Sequence, residues 1–399
     1  MNLKNLTFLL ALLLLSCQKS TPTTEEEEEA KTQLPNFEYL VEATEIKRVP
    51  SNSLSILSGI YLSRDLTFDF NDVTGYSIVY KTQHNDETIE ASGLLLIPAV
   101  NTPLPLISFQ HGTMRNHHDT PSNFNLDRNE ATIGAVVAGI GYIVAMPDYI
   151  GYGTTADLEH LYEVGSSLGS SAFDMLRAAK EYLDHEAIQL SEKLFIGGYS
   201  EGGYASMALL QQIEQNTSLK VTHAALGAGA YNKTAFSKAI ASKDMPLNFM
   251  TTYLWVLHTY NTLYSELSKP WSYYVNAPYA SQLEAITDWK THSDWEGLET
   301  NPQKLFTTTL LDDLVDENSN MIKTVLAQND RYDWAPKTPI TLFHGTEDDY
   351  VFPLNSQTAY EAISNKGGTI TYIALEGHNH QTAIIPYLEQ TLQLFEGLK

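Results

Sequence analysis

One sharp strand-to-helix turn constrains this chain more than any other feature. Gly198-Tyr199-Ser200-Glu201-Gly202-Gly203 follows the apolar run Leu194-Phe195-Ile196-Gly197 and precedes a helix-like stretch at 204–213. The string Gly-x-Ser-x-Gly also occurs in ordinary glycine-rich turns, but between a strand and a helix it reads as a nucleophile elbow. Such a turn strains the serine backbone, and glycines two residues before and after it leave room where a Cβ would clash. The Ser200 hydroxyl is then held over the carboxyl edge of a sheet, with the Glu201 N–H pointing into the same space. A hydroxyl becomes a useful nucleophile only when a base takes its proton. The rest of the chain must therefore supply a histidine and a group to orient it.

The acid is expected in His344-Gly345-Thr346-Glu347-Asp348-Asp349-Tyr350-Val351, directly after the apolar run 340–343. A carboxylate after a late strand can hold a histidine tautomer and stabilise its cation. The spacing His-Gly-x-x-Asp-x-x-Val favours Asp348, with Asp349 as the neighbouring choice. The base is expected in Glu376-Gly377-His378-Asn379-His380, after the final strand. The spacing Glu-Gly-x-x-His before a C-terminal helix favours His380, while the Gly377-His378 pair keeps His378 open as runner-up. A His-x-His pair also suits a metal, but no matching cluster of carboxylates or cysteines accompanies it. Neither a metal nor a cofactor is expected.

Charge developing on a reacting carbonyl oxygen needs two N–H donors. Glu201 is the first candidate. The second is expected after the strand 104–109, where Gln110-His111-Gly112-Thr113 stands. Thr113 is the choice and Met114 the alternative. His111 is expected to shape this loop. Asp148, in Pro147-Asp148-Tyr149-Ile150-Gly151-Tyr152-Gly153, precedes the serine and is expected to brace its loop by capping backbone N–H groups. Tyr149 and Tyr152 are expected either in the pocket wall or in the core.

Strand-like and helix-like segments alternate on both sides of these motifs. Strands are expected at 75–82, 89–98, 104–109, 142–146, 194–196, 221–225, 340–343 and 369–375. Helices are expected at 53–62, 129–138, 171–185, 354–364 and 383–396. Such alternation predicts an α/β fold with a mainly parallel sheet covered by helices on both faces. Residues 231–336 break the pattern, with no buried strand run and many aromatics, among them Trp255, Tyr260, Trp271, Tyr274, Trp289 and Trp334. They are expected to form a largely helical cap over the carboxyl edge of the sheet. The core would then run over 37–230 and 337–399.

The chain has 399 residues, 43% of them apolar and 18% charged, which predicts a packed globule. A formal net charge of -24 repels phosphate backbones, so no nucleic-acid partner is expected. The single cysteine is Cys17. Lys4 and the apolar run 6–15 have the form of a signal peptide, and Leu14-Leu15-Ser16-Cys17 resembles a bacterial lipobox. Residues 1–16 are expected to be removed and Cys17 acylated, which anchors the chain to a membrane without spanning it. Residues 17–36, with glutamates from Glu25 to Glu29, are expected to form an acidic tether. An acidic stretch at that place resembles the export tag of some surface lipoproteins, which implies the outer membrane and its outer face.

Taken together, the motifs are similar to those of the α/β-hydrolase superfamily, whose members keep the chain order serine, acid, histidine. Within it, His111-Gly112-Thr113, Pro147-Asp148-Tyr149, the elbow, and Tyr332-Asp333-Trp334-Ala335-Pro336 before His344-Gly345 resemble secreted bacterial and fungal lipases and cell-wall esterases. The resemblance covers residues 76–396 apart from 231–336. It implies a serine carboxylic ester hydrolase whose cap builds the acyl pocket, acting through an acyl-enzyme on extracellular acyl esters. Two alternatives stay open: a serine peptidase of the same fold, and an inactive surface-binding lipoprotein.

Overall fold

A computed structural model describes residues 35–63, 68–127, 129–292, 297–316, 318 and 320–399. The expected signal peptide, Cys17 and nearly all of the acidic tether lie outside the described residues. Residues 36–399 form one compact unit.

Among the described residues, nine strands make one sheet: β1 (Leu40–Val49), β2 (Val73–His84), β3 (Glu87–Pro98), β4 (Leu104–Gln110), β5 (Ile143–Pro147), β6 (Leu190–Tyr199), β7 (His223–Gly227), β8 (Ile340–Gly345) and β9 (Ile370–Leu375). Their spatial order is β1-β2-β3-β5-β4-β6-β7-β8-β9. Pairing is antiparallel from β1 to β5 and parallel from β5 to β9. The β2–β3 hairpin turns at Asn85 and Asp86, both with positive φ. That is the twist a two-residue loop needs, and Asn and Asp tolerate it.

β1 lies where the sequence suggested only irregular chain. It is an edge strand with most residues partly or fully exposed, and irregularities interrupt its register at Leu40/Glu42 and Glu45/Lys47. Charged residues and bulges are how edges avoid pairing with other chains, and they also remove the apolar alternation by which a strand is recognised. In contrast, Leu94, Leu95 and Leu96 of β3 are all fully buried, because helices cover both faces.

Among the described residues, four α-helices precede or flank the elbow: α1 (Ser51–Tyr61), α2 (Asn129–Gly139), α3 (Gly165–His185) and α4 (Glu201–Asn216). A Cβ built on Gly134 of α2 would meet Met146 Sδ and Leu96, whereas one built on Gly93 would meet Met175 Sδ of α3. Alternate strand residues point to opposite faces, so α2 and α3 lie on opposite faces. α3 starts earlier than expected because its first turns, Gly165 to Ser170, carry small residues instead of an apolar stripe.

Among the described residues, seven helices follow between β7 and β8: α5 (Lys233–Ala241), α6 (Met250–Leu263), α7 (Trp271–Tyr274), α8 (Tyr279–Glu284), α9 (Pro302–Leu305), α10 (Thr308–Val315) and α11 (Met321–Gln328). Their apolar side chains share a core with Tyr162, Val164 and Val351, which belong to connections at the carboxyl ends of β5 and β8. α12 (Leu354–Asn365) and α13 (Ile384–Leu398) complete the chain. Tyr387, Leu388, Leu392 and Phe395 of α13 join the same core as α1, α2 and the sheet face they cover.

Candidate active site

Ser200 stands between β6 and α4 with φ 60° and ψ −123°, a backbone region that few non-glycine residues enter. Its own N–H donates to Gly227 O at 2.9 Å, and its carbonyl accepts from Tyr204 N at 3.1 Å. A Cβ on Gly202 would stand 2.1 Å from Gln110 O, and one on Gly198 would stand 2.3 Å from Gly202 O. Both glycines are therefore required by contact. The strain is held by β4 and β7 on either side of β6.

The structure brings Ser200, His380 and Asp348 together. His380 Nε2 is 2.8 Å from Ser200 Oγ, and His380 Nδ1 is 2.7 Å from Asp348 Oδ2. Asp348 Oδ1 accepts the N–H groups of Tyr350 and Val351, each at 2.9 Å. Burial pushes the Asp348 carboxyl up, but hydrogen bonds from His344 and His380 outweigh it and hold the group at about 2. The carboxylate is therefore ionised wherever the imidazole works. The rings of Tyr199 and Tyr350 lie 5.2 and 4.8 Å from the His380 ring and box it in.

The other candidates take different places. His378 enters through its backbone, with its carbonyl accepting from Glu347 N at 3.0 Å. Asp349 is exposed and accepts from Asn248 Nδ2 at 2.8 Å, so it meets the helical segment before α6.

Glu201 is the first residue of α4, and a first-turn N–H has no acceptor inside its helix. Its side chain turns away from the hydroxyl and reaches His160, with Oε1 2.7 Å from Nε2. Thr113 lines one cavity with Ser200 and His380, and its hydroxyl is 2.7 Å from Tyr162 OH. Met114 packs instead among Tyr149, Tyr152, Leu168 and Tyr204.

The profile of the secretory lipase family matches residues 124–393. The chain belongs to the secretory lipase family. No curated protein sequence matches it. The rice cell wall degrading esterase LipA from Xanthomonas oryzae is similar in structure, with 22% identity and a TM-score of 0.73 over 91% of this chain and 97% of that one. A Legionella pneumophila protein described as a hydrolase has 24% identity and a TM-score of 0.81 over 90% and 98%. Candida antarctica lipase A has 17% identity and a TM-score of 0.64 over 90% and 82%. At these identities the structures speak for the fold, which is that of the α/β-hydrolases. Family membership makes this secretory lipase an ester-hydrolysing enzyme. It also points to a secreted protein; among the described residues no helix is long and apolar enough to cross a membrane.

In this secretory lipase the loop after β4 is braced from several sides. His111 faces Gly112 O at 2.7 Å and Asp148 O at 3.2 Å. Tyr149 OH donates to His111 O at 3.1 Å and Tyr152 OH to Met114 O at 2.7 Å. Both tyrosines are thus core braces. Asp148 is fully buried and accepts from Ser92 Oγ at 2.6 Å and Ser122 N at 2.8 Å. Burial pushes its carboxyl up, against those bonds.

Three features lay beyond the sequence reading. Arg115 donates to Trp289 O and His292 O, each at 3.1 Å, and to Thr252 Oγ1 at 2.9 Å. Its guanidinium also sits 4.5 Å from the Trp255 ring centroid, a favourable cation–π contact. One cation thereby ties the β4 loop to the helical segment. Glu130 lines the same cavity as Ser200, and burial pushes its carboxyl up. His344 lies against Asp348. No local spacing marks Arg115 or Glu130, since their contacts cross from one element to another, whereas His344 stands four residues before Asp348 in the same motif.

Ser200 borders two cavities. One, of about 230 Å³, also contacts His380, Ile133, Ile384 and Leu388. The other, of about 60 Å³, runs beneath α5 and α6 past Tyr162, Phe236 and Tyr253. It shares Ser237, Ile240, Tyr253 and Val256 with an apolar cavity of about 70 Å³ that reaches α10 and α11. Among the described residues, no group of three or more His, Cys, Asp and Glu side chains is arranged to hold a metal ion.

Proposed function

We propose that this enzyme hydrolyses carboxylic esters through a Ser200–His380–Asp348 triad and an acyl-enzyme. The single observation that carries this is the His380 ring, with one nitrogen 2.8 Å from Ser200 Oγ and the other 2.7 Å from Asp348 Oδ2. Asp348 accepts a hydrogen bond from Nδ1–H, which leaves Nε2 as the lone-pair nitrogen. Ser200 Oγ–H donates to Nε2, loses its proton there and attacks the ester carbonyl. The N–H groups of Glu201 and Thr113 receive the developing oxyanion. The imidazolium then protonates the leaving alcohol, and water releases the acid by the reverse route. Losing one oxyanion donor costs roughly 3–4 kcal/mol of transition-state stabilisation in a comparable site.

Residues 231–336 would act as a cap, with Arg115 holding it to the loop that bears Thr113. The two cavities meeting at Ser200 give separate room to the acyl and alcohol parts of an ester. Aromatic and aliphatic walls suit an acyl chain. Lipidation at Cys17 would hold the enzyme at the outer membrane, facing external esters.

The test is labelling with a fluorophosphonate followed by a panel of p-nitrophenyl esters and aminoacyl anilides. Labelled Ser200 and turnover of esters over anilides are expected. Unlabelled Ser200 in active, folded protein would overturn the triad, and preference for anilides would make the enzyme a peptidase.

A further inference from the structure

His344 is the penultimate residue of β8, four residues before Asp348, and its side chain is fully buried. Its Nδ1 lies 2.7 Å from Ser356 Oγ on α12. Its Nε2 lies 2.7 Å from Val351 O and 3.3 Å from Asp348 Oδ2. A carbonyl oxygen has no proton to give, so Nε2 must carry hydrogen to bond Val351 O. The Ser356 hydroxyl can donate to Nδ1, and a neutral ring with hydrogen on Nε2 satisfies both partners. That N–H bonds Val351 O, and the same Nε2 stands 3.3 Å from the Asp348 oxygen which receives His380 Nδ1. The other oxygen is taken by the N–H groups of Tyr350 and Val351. Four donors from β8, the turn after it and the loop after β9 therefore surround one carboxylate.

We propose that His344 is a positioning residue that shares Asp348 Oδ2 with His380, holding that oxygen in place and drawing part of its charge away from His380. The inference rests on the triad proposed above. A carboxylate beside an imidazole favours the charged imidazole. A second N–H on the same oxygen weakens that pull, so His380 is free to accept the Ser200 proton at lower pH. Other groups around the pair do not replace it. Glu130 lines the same cavity as His380. Arg115 stands near Tyr350, and the Tyr199, Tyr253 and Tyr350 phenols are pushed up by burial and stay neutral in the working range. Asp349 points to Asn248.

The experiment measures kcat and KM for p-nitrophenyl butyrate against pH in the wild type, His344→Leu and His344→Gln. Leucine fills similar space without a donor, while glutamine keeps an N–H near the Nε2 position. His344→Leu is expected to lower kcat about tenfold or more, with KM nearly unchanged, and to move the acid limb up by roughly half a pH unit or more. His344→Gln is expected to recover most of both. An unmoved acid limb in His344→Leu, or equal behaviour of the two variants, overturns the proposal. Should His344→Leu fail to fold, ¹⁵N-histidine NMR on the wild type decides: hydrogen on His344 Nε2 supports it, hydrogen on Nδ1 alone overturns it. Failure of the triad itself would read differently, as missing fluorophosphonate label at Ser200 in the wild type.

Discussion

The Glu201 carboxylate lies 2.7 Å from His160 Nε2, one residue past Ser200, and both side chains are about 1% exposed. His160 Nδ1 faces Ile150 O at 2.8 Å, so that nitrogen carries hydrogen and the pair shares one further proton. Among the described residues, the second Glu201 oxygen is buried without a partner. Removing His160 would leave a carboxylate isolated beside the elbow, and breaking a buried pair this way costs about 3–5 kcal/mol. His160→Leu should therefore lose far more stability in urea unfolding than Glu201→Gln, which keeps a neutral partner. Equal losses would show that the pair carries little of the elbow's support.

Acid should strip stability from the triad in a defined window. The Asp348 carboxyl is held at about 2, below its ordinary 3.8. A lowered native pKa contributes stability above the unfolded value and loses it as pH falls through the native value. The window is pH 4 to 2, and a shift of this size corresponds to roughly 2 kcal/mol. The stability gap between wild type and Asp348→Asn should shrink across that window. Glu130 and Asp148 have raised carboxyls and act in the opposite sense, so the difference between the two proteins is the quantity to follow. A gap that does not change from pH 4 to 2 would contradict the assignment.

Gly202 has no room for a methyl group. The built Cβ meets the Gln110 carbonyl at 2.1 Å, and β4 cannot retreat without disturbing its pairing with β6. Gly202→Ala should cost about 3 kcal/mol, at the upper end of ordinary overpacking, and should move the Ser200 hydroxyl off His380. Thermal unfolding and ester turnover should fall together; an active, stable variant would show the elbow to be softer than its contacts imply.

The two histidines should separate sharply. His380→Ala is expected to lower kcat by about a thousandfold or more, as loss of a general base does. His378→Ala is expected to stay within about threefold, because a side chain that meets neither Ser200 nor Asp348 leaves transition-state stabilisation intact. Comparable damage from both would mean the loop after β9 changes conformation during turnover.

Cys17→Ala should release the full-length protein from membranes, since acyl chains bind at roughly 0.8 kcal/mol per buried methylene. The readout is partition between membrane pellet and supernatant. A variant that still pellets would remove the lipid anchor from the account.

Much of this protein is legible from short stretches of chain. The elbow depends on five consecutive residues and the strand and helix that flank them. The parallel part of the sheet follows from buried apolar runs such as Ile340 to Phe343. Asp348 follows from its spacing to a strand end. Each of these is a local matter, because backbone sterics and side-chain period act over a few residues. β1 was hidden by its charged, exposed alternation, and the first turns of α3 by their small residues.

Position in three dimensions is another matter. His378 and His380 are equivalent by composition and differ only in how the loop after β9 turns. That turn is set by pairing of β8 with β9 and by the docking of α13 on the sheet, where Tyr387 OH accepts from Gly198 N and donates to Ala225 O. The same packing brings His344 and His380 to one oxygen of Asp348, and Arg115 to the helices between β7 and β8. Short-range preferences chose the chemistry of the residues. Long-range burial of apolar faces chose which of them meet, because such contacts join segments whose separation along the chain no local rule can measure.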